Sequence, residues 1–84
     1  MLVQVTQKDI DLGVRGNPRE CPVARAVARA TGAELVSVVP GRYVRVGLNL
    51  LPIPEEVTGF IYRFDHDQSV VPFSFELTEV NIAN

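Results

Sequence analysis

The stretch from Arg15 to Gly32, RGNPRECPVARAVARATG, decides how the chain folds. It opens as loop, because Gly16-Asn17-Pro18 joins a permissive residue, a turn former and a residue of fixed φ. Pro22 then stands where proline is best tolerated, at the first position of a helix, which makes Cys21 the expected N-cap. Val23, Ala26, Val27 and Ala30 recur at i, i+3, i+4 and i+7 and form one apolar stripe. At about 100° per residue, Arg25 and Arg29 fall on the opposite side. Gly32 ends the helix. Two readings of this helix stay open. Cys21 is a reactive thiol at a helix mouth with two arginines awaiting an anion, or it is a packed cap beside an ordinary solvated face.

Working outward, LVQVT (residues 2–6) alternates as a short strand. Thr6 followed three residues later by Asp9 resembles a capping box with Asp in the place of Glu or Gln. It starts a short helix through QKDIDL that Gly13 terminates. After Gly32, AELVSVVPG and RYVRVGLNLLP read as two strands joined at PGR (residues 40–42). In the second, Val44, Val46, Leu48 and Leu50 are expected on one face and Tyr43, Arg45, Gly47 and Asn49 on the other. Pro54 begins a helix over 54–65, with Glu55 and Glu56 favourably placed in its first turn and a stripe of Val57, Phe60, Ile61 and Phe64. Gly59 weakens it by about 1 kcal/mol relative to alanine. The turn DHDQS leads to a last strand in which Val71, Phe73, Phe75 and Leu77 share a face. Pro72 marks it as an edge, or turns its ring away from the ladder. The final NIAN is expected to fray. The order is β-α-α-β-β-α-β: a single small α+β domain spanning residues 1–84, its helices packed on one face of a mostly antiparallel, three- or four-stranded sheet.

Composition narrows the function classes. The chain has 84 residues, 46% hydrophobic and 21% charged, which suits a packed core and argues against disorder. One cysteine cannot make an internal disulfide, so the fold must stand on packing, as in a reducing compartment. The N-terminus lacks a basic region before an apolar run, and no apolar stretch approaches the ~20 residues a membrane span needs. A soluble, cytoplasmic protein with no membrane partner is expected. The net charge of −2 hides an asymmetry. Residues 1–53 carry Lys8 and six arginines against four carboxylates, a balance of +3, and residues 54–84 carry Arg63 against six carboxylates, a balance of −5. Such a two-signed chain can self-associate or show a basic face to an anionic partner.

No catalytic set converges in the sequence. Cys21 at a helix mouth near Arg19 and Arg25 has a setting that stabilises a thiolate, but the only histidine, His66, lies in a distant turn. Asp65, His66 and Asp67 offer metal-ligating atoms, yet adjacent residues point in alternate directions, and an Asp-rich turn is the ordinary reading. GVRGNP lacks the phosphate-loop pattern, although a helix mouth can receive an anion. Neither a cofactor nor a metal is expected. The arginines are the better candidates: Arg15 and Arg19 in the loop, Arg25 and Arg29 on one helix face, and Arg42, Tyr43 and Arg45 at the strand pair. Arginine makes planar bidentate contacts to carboxylate or phosphate, and Arg and Tyr are enriched at interface hot spots.

Two segments carry a resemblance: VTQKDIDLGVRGNPRECPVARAVARA near the start and GFIYRFDHDQSVVPFSFEL near the end. The chain resembles a group of small uncharacterised phage and prophage proteins that share an I-x-x-G element, a C-P-[IV]-A-x-A-[VIL] helix and a closing F-D-x-x-x-x-V-x-P-F-x-F-x-L. These are Ile10 to Gly13, Cys21 to Val27 and Phe64 to Leu77; the middle strands lie outside the likeness. The group has no established activity. What the resemblance implies is context: a phage-type accessory protein in the cytoplasm of a bacterial host, binding a host or phage protein without turnover, as a modulator or inhibitor of host machinery. Two alternatives stand beside it, a nucleotide or nucleic-acid binder using Arg15, Arg19 and the helix mouth, and a cysteine-dependent enzyme. On the leading reading, charge reversal at Arg25 and Arg29 abolishes partner binding without unfolding.

Overall fold

A computed structural model describes residues 1–78, so the NIAN segment (residues 81–84) lies outside the described residues. The order is β1 (Leu2–Val5), α1 (Gln7–Leu12), α2 (Pro22–Thr31), β2 (Val36–Val39), β3 (Tyr43–Val46), β4 (Asn49–Pro52), α3 (Glu55–Asp65) and β5 (Phe73–Glu76). The class is α+β with antiparallel strands throughout, and the strands divide into two sheets: β1 with β5, and the meander β2-β3-β4.

Helix α2 touches both sheets, β1 of the smaller and β2 and β3 of the meander, and α1 as well. Alanine makes this possible, because a side chain of one methyl lets strands approach closely. Its buried arc is accordingly wider than the expected stripe. Val23, Ala24, Ala26 and Val27 are all buried, whereas Ala30 is exposed. Cys21 caps the N-terminus as expected, with Sγ accepting from the Ala24 N–H at 3.4 Å, and Gly32 ends the helix at φ +73°. The core is built largely of valine. Val3, Val23, Val27, Val44 and Val57 are fully enclosed, each worth roughly 1.5–3 kcal/mol of transfer free energy. Phe60 of α3 meets Phe73 of β5 with ring centroids 4.7 Å apart, which fastens the last helix to the smaller sheet.

The Thr6–Asp9 capping box forms in both directions. Gly13 ends α1, but not through a left-handed turn: its φ is −68°. Glycine is needed there because the chain passes close to the next helix. A Cβ would lie 2.6 Å from Cδ of Pro22 and 2.8 Å from the Asp9 carbonyl.

The middle of the chain differs from the expectation. Residues 42–52 are not one strand; Gly47 and Leu48 turn the chain between β3 and β4, with Val46 paired to Asn49. Gly47 has φ +62° and Leu48 stays at negative φ, the pattern of a two-residue II′ hairpin that twists with its strands. Past that turn the parity changes. Leu51 is buried, while Leu48 and Leu50 are exposed at 92% and 50%. Pro54 is the N-cap of α3 instead of its first helical residue, and Val71 and Pro72 precede β5, with Val71 exposed. Among the described residues β5 pairs with β1 alone, which makes it an edge strand, as expected from Pro72.

Candidate functional site

The seven candidate binding residues separate into three places. Arg25 and Arg29 do not form a free face, because both point at Asp9, which is completely buried. Arg29 donates from Nη1 to Asp9 Oδ1 at 2.8 Å and from Nη2 to Oδ2 at 2.7 Å, and Nη2 also reaches the Gln4 carbonyl at 2.8 Å. Arg25 Nε lies 3.6 Å from Asp9 Oδ1 and is itself buried without a hydrogen-bond partner, so its attraction is Coulombic. The Thr6 N–H and hydroxyl donate to the same carboxylate. Burial pushes the Asp9 pKa up, but the bonds from Arg29 and Thr6 and the charge of Arg29 prevail and hold it at about 2. This cluster ties β1, α1 and α2 together, and its role is structural.

Arg15 lies at the second place, 3.4 Å from Asp67, an exposed pair between the loop and the turn after α3. Such a pair contributes little. The three side chains of the Asp-His-Asp turn go to different partners. Asp65 accepts the Gly16 N–H, His66 Nδ1–H donates to the Tyr62 carbonyl, and Asp67 faces Arg15. Among the described residues no three His, Cys, Asp or Glu side chains gather.

The residues of the helix mouth are packed. Cys21, Pro22, Val23 and Ala24 are all buried, and the preceding loop is occupied with its own bonds. Asn17 Oδ1 accepts the N–H groups of Arg19 and Glu20, and its carbonyl accepts that of Cys21. Burial pushes the Cys21 thiol above its ordinary pKa, the Asp65 carboxylate adds to this, and the N–H groups of Ala24 and Val23 offset it only in part. Cys21 is therefore a protonated, packed cap, and its burial removes the setting of a reactive thiol.

The third place is the meander with the loop against it: Arg19 and Arg45 line one groove there, whereas Arg42 and Tyr43 stand at the opposite end of β3, by the turn from β2. Residues opposite one another in the meander share a face, so the register puts Ser37, Arg45 and Leu50 in one outward row and Val39, Tyr43 and Pro52 in the next. The Leu35 carbonyl accepts the Gly47 N–H and extends the ladder by one pair. Where that end of the sheet meets the loop, Arg19 and Arg45 line a groove of about 340 Å³ together with Leu35, Ser37 and Leu48. Arg45 Nε donates to the Gly47 carbonyl at 3.3 Å, which steadies its stem. Among the described residues neither Arg19, Arg42 nor Arg45 has an ion-pair partner. Two guanidinium groups that lack a carboxylate partner among the described residues, beside exposed leucines, can take carboxylates and an apolar side chain at once. The leucines were missed from the sequence, and the missed signal was Gly47-Leu48, a two-residue turn dipeptide between two alternating runs.

Among the described residues no helix is long and apolar enough to cross a membrane. No known protein family, curated protein or solved structure matches this chain.

Proposed function

We propose that this chain is a non-enzymatic binding module that grips an acidic segment of a protein partner across the Arg19–Arg45 groove, as a phage-type accessory protein acting on host or phage machinery. The observation that carries the reading is the pairing of two arginines, neither with an ion-pair partner among the described residues, with the exposed side chains of Leu35 and Leu48. Such a mixture is typical of interface anchors: arginine supplies directional, charge-assisted bonds, and the leucines supply area removed from water. Self-pairing through this groove is disfavoured, because a two-fold contact would set its arginines against their own copies with no carboxylate in the groove lining.

The test is a pull-down from bacterial lysate with and without nuclease, comparing the natural chain with Arg19→Glu/Arg45→Glu. The double variant removes no core contact and should keep its circular dichroism spectrum. Loss of a stoichiometric protein partner is the expected result, with Arg15→Glu retaining it. Capture that ignores the double substitution would overturn the reading. Capture that disappears with nuclease, and falls steeply with salt, would transfer the arginines to nucleic acid.

A further inference from the structure

A second concavity, on another part of the surface, has a different chemistry. It holds about 320 Å³ between the loop, the end of β2 and α3. Pro18, Val38, Val39, Pro40 and Ile61 make its walls apolar. Three hydrogen bonds pin the segments around it. The Val38 N–H donates to the Pro18 carbonyl, the Gly16 N–H to Asp65 Oδ1, and the Gly41 N–H to Thr58 Oγ1. The pocket is thus formed in advance and is at the lower end of the size range of small-molecule sites.

One charged residue lines it, Asp65. Its Oδ1 is held at 3.0 Å by the Gly16 N–H, and Oδ2 takes no hydrogen bond from the described residues. No ion pair reaches Asp65 among the described residues, since the nearby Arg15 is engaged with Asp67. The two helix ends at the pocket nearly cancel. The N-terminus of α2 at Cys21 offers roughly half a positive charge and the C-terminus of α3 at Asp65 roughly half a negative one. What remains is one full negative charge against apolar walls, where a matching cation is worth more than in water.

We infer that this pocket binds a small organic ammonium ion, its apolar body lying against Val38, Val39 and Ile61 and its N–H groups donating to Asp65. An anion is repelled there, and a neutral molecule of the same shape leaves Asp65 uncompensated. The site is independent of the Arg19–Arg45 groove.

Phenethylamine and its neutral counterpart 2-phenylethanol are suitable probes, followed by the backbone amide signals of Gly16 and Asn17 and by calorimetry. The amine should saturate and shift those amides, and the alcohol should bind roughly tenfold or more weakly, the worth of one charge-assisted bond. Asp65→Asn keeps an oxygen for the Gly16 N–H and so preserves the loop, yet should lose most of the amine affinity. The comparison of amine with alcohol on the natural chain stands even if that variant is unstable. Absence of saturable amine binding at millimolar concentration, shifts at other amides, or equal binding of amine and alcohol would overturn the inference.

Discussion

Arg29 clasps both oxygens of Asp9, at 2.8 and 2.7 Å, across twenty residues of chain, and with the same guanidinium holds the Gln4 carbonyl within the first strand. Removing the arginine leaves a carboxylate enclosed without its counter-charge. Arg29→Ala should cost about 3 kcal/mol, the low end for breaking a buried pair, since half of the arginine remains in water. Urea unfolding measures it. The charge reversal Arg25→Glu/Arg29→Glu, harmless if these were surface residues, should leave the chain unfolded by circular dichroism, because domains of this size hold only about 4–12 kcal/mol in all.

The same carboxylate sets the acid limb of stability. Its folded pKa of about 2 lies below the ordinary 3.8, so the unfolded chain binds more protons in between. The stabilisation is fully present above about pH 4 and is lost as the pH falls toward 2, a change on the order of 2 kcal/mol from this group. Urea midpoints taken down that range should fall more steeply for the natural chain than for Asp9→Asn. Parallel slopes would refute the assignment.

Two glycines should respond in opposite directions to alanine. At Gly13 the new methyl meets the Pro22 ring and the Asp9 carbonyl, neither of which can swing aside, so Gly13→Ala should lose roughly 1–3 kcal/mol. At Gly59, inside α3, the nearest atom is the mobile end of Arg63 at 3.5 Å, and Gly59→Ala should gain roughly 0.5–1 kcal/mol. Melting temperatures of the two variants decide both.

The hairpin register can be read by truncation. Leu51→Ala empties a core position and should cost about 2–4 kcal/mol, whereas Leu48→Lys at the exposed tip should stay within about 0.5 kcal/mol. The reverse ranking would restore a single strand through Gly47.

Cys21 should react with an aromatic disulfide reagent slowly at neutral pH and rapidly only in denaturant, because its thiol is buried and its pKa raised. Cys21→Ala should cost about 1 kcal/mol through the lost cap. Rapid labelling of the folded chain would reopen nucleophilic chemistry at this residue.

Much of the architecture was readable without coordinates because it rests on local rules. Pro22 after Cys21, Thr6 before Asp9, Gly32 after the second helix and the stripe of Val57, Phe60 and Ile61 all lie where spacing put them. The errors came where one local signal outweighed another. Alternation from Val44 to Leu50 is continuous in the sequence, and it hides the single glycine, Gly47, that breaks the strand. Arg25 and Arg29 were placed correctly on the far side of α2 from its valines, but a helical wheel does not show what else packs there.

What the sequence determines by itself is therefore the α+β class, the first two helices with their N-caps, and the apolar stripe of α3, since each follows from backbone sterics and periodicity within a few residues. The tertiary structure decides the division of the strands into two sheets, the use of Arg25 and Arg29, and which arginines remain free. Those outcomes depend on a residue far away in the chain. Asp9 is an ordinary polar residue in sequence, and only the packing of α1 on α2 removes it from water and makes it claim the arginines.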